Sequence, residues 1–142
     1  MKKTAGLLLL VLLFAGCGSD EKPFEVYNPE VFSFFLDEDN LWEVNASAQV
    51  RGFQQNEENK QFRHHISFSV DLILSDGAKK EGVYSGDLQD MLSERISDLQ
   101  LEAQFELDST YTAPGYKLVW NVKDELSGKT ITKESEFKLS EE

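Results

Sequence analysis

From Trp42 to Val50 apolar and polar residues alternate without a break, with Trp42, Val44, Ala46, Ala48 and Val50 in one set and Glu43, Asn45, Ser47 and Gln49 in the other. A period of two sends the sets to opposite faces of a strand, so this segment is expected to be half-buried. The same rule reads Phe62, His64, Ile66, Phe68, Val70, Leu72 and Leu74 as a longer apolar face, the firmest strand in the chain. It also reads Leu99, Leu101, Ala103, Phe105 and Leu107, flanked by Gln100, Glu102, Gln104 and Glu106, as a third strand. Phe24–Tyr27 and Val31–Leu36 form a first strand interrupted at Asn28-Pro29, and proline suits an edge position.

Asp76-Gly77 predicts a two-residue hairpin turn, because such turns favour residues that tolerate positive φ. Gly82-Val83-Tyr84 is the returning edge. The spacing then changes: Leu88, Met91, Leu92 and Ile96 recur at helical intervals with Asp87 as N-cap, predicting a short amphipathic helix across one end. Near the carboxyl end, Pro114-Gly115-Tyr116 leads into Leu118, Trp120 and Val122, then a Leu126-Ser127-Gly128 turn and Ile131–Leu139. This stretch resembles the closing hairpin of Ig-like and fibronectin type III-like domains, and the resemblance implies that Tyr116 bonds back to the preceding loop as a tyrosine corner. The expected fold is all-β, an antiparallel Ig-like β-sandwich of about seven to eight strands with one short helix. Strands 42–53 and 99–107 are expected in one sheet, and 62–75, 78–84, 115–124 and 129–139 in the other.

The amino terminus follows another logic. Lys2 and Lys3 precede an apolar run from Ala5 to Ala15, which ends as Leu13-Phe14-Ala15-Gly16-Cys17. A membrane span needs about 20 predominantly apolar residues, more than this run supplies. Small residues directly before a cysteine resemble a bacterial lipobox, with Phe14 standing where that family usually has leucine. The expected division is a signal peptide over 1–16, a lipidated Cys17 with its tether over 17–23, and one domain over 24–142. Lipoprotein resemblance implies acylation of Cys17, a stable hold on the lipid bilayer and, with Gly18 next, delivery to the outer membrane of a Gram-negative envelope. Ser19-Asp20-Glu21 resembles the acidic export signal of surface lipoproteins in Bacteroidetes, which implies exposure at the cell surface.

The chain holds 14 basic and 26 acidic residues; without Lys2 and Lys3 the net charge is −14. Such a balance argues against nucleic acid, whose binding needs bases that displace counterions. A single cysteine, placed at the anchor, leaves no disulfide, thiolate metal cluster or cysteine nucleophile downstream. His64 and His65 are adjacent on a strand and point to opposite faces, so they do not chelate one ion together; His64 is expected inward and hydrogen-bonded, His65 solvated. Asp37-Glu38-Asp39-Asn40 is acidic but lacks calcium-loop spacing and reads as a turn. Trp42 and Trp120 lie on apolar faces and are assigned to the core rather than to a sugar platform. Asp108-Ser109-Thr110 matches a short O-glycosylation motif of exported Bacteroidetes proteins. Elbow, phosphate-loop and HExxH signatures are missing, so neither catalysis, cofactor nor metal is expected. Ile73 and Val119 interrupt the polar sides of their strands and are the candidate interaction face. The expected function is a non-catalytic, membrane-anchored accessory module that binds an envelope protein partner. The alternative is small-ligand, carbohydrate or calcium binding through the loops.

Overall fold

The computed structural model describes residues 21–112 and 115–140. The expected signal peptide over 1–16, Cys17 and Pro114 lie outside the described residues. Eight strands follow one another: β1 Glu25–Leu36, β2 Leu41–Arg51, β3 Asn56–Glu58, β4 Gln61–Ile73, β5 Lys79–Leu92, β6 Asp98–Asp108, β7 Tyr116–Asp124 and β8 Thr130–Phe137. One sheet has the order β1-β2-β6; in the other β4 lies between β5 and β7, β8 flanks β7, and β3 joins the start of β4. All pairings are antiparallel. The sheets face each other over a core in which Trp120, Ile66, Leu72, Leu101 and Leu118 are the largest fully buried side chains. Trp42 and Phe137 pack against its edge.

The expected short helix is wrong. Among the described residues there is no helix, and the segment read as its start belongs to β5, where Leu88 pairs with Ile66 and Leu92 with Phe62. The inward set along this strand is Tyr84, Gly86, Leu88, Asp90 and Leu92, a period-two face that two members disguise. Gly86 is small because the Phe68 ring fills its side-chain space, with a ring carbon 2.4 Å from where a Cβ would sit. Asp90 is polar because it stands opposite buried His64. Met91 faces out, and Ile96 reaches the core from the loop before β6. Tertiary pairing along β4 outweighs the local spacing.

The hairpin at Asp76-Gly77 exists with a longer turn than expected. Leu74 and Ala78 close it through an N–H donated to a carbonyl at 2.8 Å, and Gly77 takes the left-handed position at φ +86°. Tyr116 Oη donates to the Thr112 carbonyl four residues upstream, the bond expected of a tyrosine corner.

The two sheets curl towards closure on one side. There Ser33 on β1 donates to the Lys138 carbonyl at 3.5 Å and accepts from the Ser140 N–H at 3.2 Å, stitching β1 to the segment after β8. On the other side β5 and β6 approach without a ladder, leaving a groove of about 710 Å³ lined by Lys80–Val83 and Gln104–Leu107. The result is a half-barrel with two poles. Residues 21–24, the 52–55 and 93–97 loops and the β7–β8 turn lie at one; the 37–40, 74–78 and 109–112 segments lie at the other.

Candidate functional site

Ile73 and Val119 are both on the outer face of the larger sheet, near each other across the β4–β7 register. Val119 is only 7% exposed, however, and Ile73 is half-buried. A charged frame surrounds them. Asp71, opposite Val119, accepts from the Gly82 N–H at 2.8 Å and the Asn121 amide at 2.8 Å, and pairs with Lys79 at 3.2 Å. Burial pushes the Asp71 carboxyl up, but these three donors outweigh it and hold it below its usual range. Asp71 thereby fixes the β5 bulge, where Gly82 has φ +61°. This part of the sheet presents a structural knot more than an apolar surface.

Besides Met91 on β5, two large exposed apolar side chains lie on the other sheet. Phe32 is 62% and Phe34 38% exposed, both on the outer face of the β1-β2-β6 sheet, with ring centroids 6.2 Å apart and planes 27° from parallel. Sequence reasoning missed them because Val31-Phe32-Ser33-Phe34-Phe35 offers two nearly equal faces. The inward one contains Ser33, whose hydroxyl has partners in the 138–140 segment, and the register sets Val31, Ser33 and Phe35 opposite inward Ala46, Val44 and Trp42, long-range contacts that decide the facing.

The register sets Phe34 beside Glu43, Phe32 beside Asn45 and Glu30 beside Ser47, with Glu106, Gln104 and Glu102 one strand further along the same rows. Further along the same face lie Glu25, Arg51 and Asp98. Arg51 is engaged: it pairs with Glu25 at 2.7 Å and stacks on Tyr27 at 4.6 Å, while Tyr27 donates to Asp98. The Ser97 hydroxyl and then Tyr27 hold the Asp98 carboxyl below its usual value. An exposed aromatic pair thus sits in an acidic field. Beside Phe32, a recess of about 390 Å³ is bordered by Asn45, Gln100, Glu102 and Gln104.

The histidines separate as their spacing requires. His64 faces inward as expected, edge-on to Phe53 at 5.9 Å between ring centres, and its Nδ1 has no hydrogen-bond partner among the described residues. Burial lowers its pKa, Asp90 opposes that and His65 reinforces it. His65 is on the outer face but not simply solvated: its Nε2 lies 3.0 Å from both oxygens of Asp87.

Asn40 closes the acidic 37–40 turn at φ +54° and donates to Ser109 at 2.9 Å. Asp108 accepts from the Thr110 hydroxyl and, at 2.8 Å, from its N–H, contacts that lower its carboxyl pKa in that order. Among the described residues no three His, Cys, Asp or Glu side chains converge as metal ligands.

At the tether pole, Asp124 is 1% exposed and organises two loops. Its carboxylate accepts from Gln54 N–H at 2.8 Å, Leu126 N–H at 3.0 Å and the Ser127 hydroxyl at 2.7 Å. A crevice of about 680 Å³ beside it is bordered by Lys22, Arg95, Ile96 and Lys129.

No family model matches this chain. No curated protein matches it either. Among solved structures, the structural-genomics target SoR45 aligns with a TM-score of 0.47 at 11% identity, over 82% of this chain and 85% of its own. A protein described as ApaA from Bordetella pertussis aligns with a TM-score of 0.43 at 14% identity, over 84% and 95%. Scores at this level assign no family, and the chain stands as an all-β domain of two sheets in a half-open sandwich.

Proposed function

We propose that this chain is a non-catalytic, lipid-anchored envelope protein whose domain holds another envelope protein against the outer face of the β1-β2-β6 sheet. Support for the anchor is the leader sequence ending at Cys17, the sole cysteine. The observation that carries the binding face is the Phe32–Phe34 pair, exposed together in an acidic surround. Paired exposed aromatics are unfavourable in water and recur as anchors of protein interfaces, where truncating one costs about 2 kcal/mol or more. The acidic frame favours a partner that meets the rings with an apolar hollow rimmed by basic groups.

Carbohydrate binding is the second reading, favoured by the amide and carboxylate groups around Phe32. It ranks lower because the rings stack on each other, whereas a sugar takes an open ring face.

The test is capture from envelope membranes with wild type and with Phe32→Lys/Phe34→Lys. The variant is expected to keep its urea midpoint, since surface changes usually stay within about 0.5 kcal/mol, and to lose the partner. A folded variant that retains every partner refutes this face; a wild type that binds soluble glycans through Phe32 instead selects the second reading. Cys17→Ala is expected to abolish palmitate incorporation and release the protein from membranes, and continued labelling of that variant removes the anchor.

A further inference from the structure

We propose that the anchored domain stands end-on at its membrane, with the pole formed by the 52–55, 93–97 and 125–129 segments towards the lipid headgroups and the 37–40 pole away from them. This rests on the anchoring reading above and adds an orientation to it.

The first observation is where the tether joins. At Gly52, φ is +73° and a Cβ would lie 2.2 Å from the Pro23 carbonyl oxygen and 2.5 Å from that of Lys22. Lys22 and Pro23 are therefore laid across Gly52, at one pole. From Cys17 to Pro23 is six residue steps, at most about 20 Å when fully extended. An eleven-residue strand such as β2 is about 35 Å long, so the opposite pole stands well beyond the tether's reach.

The second observation is charge. Near-pole segments, with the 56–60 hairpin at the start of β4, carry Lys22, Lys60, Arg95 and Lys129 against Glu21, Glu57, Glu58, Glu94 and Glu125, close to balance. The far pole carries Asp37, Glu38, Asp39 and Asp76 against Lys138. Anionic headgroups attract a nearby Lys or Arg by about 1 kcal/mol each and repel carboxylates, so the field favours the same pole as the tether. Lying on the β1-β2-β6 flank brings Glu30, Glu43, Glu102 and Glu106 to the lipid, which the same field opposes. Standing end-on leaves Phe32 and Phe34 open to a partner from the side.

The acylated Cys17 thiol is blocked, so an added cysteine takes a spin label alone. Full-length acylated protein bearing Glu94→Cys, Glu134→Cys, Gln104→Cys or Asp39→Cys is reconstituted on phosphatidylethanolamine–phosphatidylglycerol vesicles containing nickel-chelating lipid. Relaxation of the label by surface nickel is expected to be strongest at position 94, intermediate at 134 and 104, and several-fold weaker at 39. Equal relaxation at 94 and 39 overturns the proposal, as does the strongest signal at 134 or 104, which means a domain lying on its flank. Cys17 found without acyl chains by mass spectrometry, in protein that stays off vesicles, overturns the anchoring reading itself and the orientation with it.

Discussion

At Gly86 the reason for a residue's identity lies in another strand. The Phe68 ring occupies its side-chain space and is held between Tyr84, at 6.0 Å between ring centres, and Trp120, at 5.9 Å. Adding a methyl there has two opposing effects. Removing glycine from a strand returns about 0.5–1 kcal/mol of chain entropy. Overpacking a buried ring costs about 1–3 kcal/mol, and with both sides of the ring occupied this effect wins. Gly86→Ala is expected to lose about 1–2 kcal/mol in urea denaturation, and much less in a Phe68→Leu background, where the space is free. An unchanged midpoint in the wild-type background means that the ring moves aside. Ser33 teaches a related lesson: sequence alternation cannot choose between Phe32/Phe34 and Ser33/Phe35 as the inward face when the choice rests on pairing with β2 and on hydrogen bonds from residues 138–140.

Among elements, β2, β4 and β6 were legible because each alternates over most of its length, and their placement in two sheets follows the expectation. β5 was not legible: Gly86 and Asp90 hide its inward face, leaving Leu88, Met91, Leu92 and Ile96 to mimic a helix. Its bulge depends on Asp71, which binds Gly82 of β5 and Asn121 of β7 at once. Asp71→Ala takes the acceptor from the Gly82 N–H and the half-buried Asn121 amide, so a loss of about 1–3 kcal/mol is expected. Asp87→Ala removes an exposed partner of His65 and is expected to cost under about 1 kcal/mol. Chemical denaturation of both variants checks the contrast, and equal losses mean that the Asp71 knot does not secure the bulge. The candidate face was less legible than the fold, because exposure of Phe32 and Phe34 depends on the facing of β1, whereas Ile73 and Val119 were visible as pattern breaks but sit within a charged frame.

For the whole molecule, stability against pH combines an acidic surface with a few groups whose titration is tied to folding. His64 is buried with a lowered pKa, while Asp71 is held low by its donors despite burial. Both act in the same direction. Below about pH 6.5 the unfolded chain protonates His64 before the folded one does, and below about pH 4 it protonates Asp71 first, so the unfolded state binds more protons and stability falls with pH. Relief of repulsion in a chain of formal charge −12 works the other way, as carboxylates are neutralised. Comparing variants separates the two, because His64→Phe changes the buried ring and leaves the acidic surface alone. Urea midpoints measured from pH 8 to pH 4 are expected to decline for wild type once the pH passes below about 6.5, whereas His64→Phe holds its midpoint until the carboxylate range near pH 4. If both proteins decline together from pH 6.5, His64 does not couple folding to protons; if the wild-type midpoint rises over that interval, relief of surface repulsion dominates the acid response.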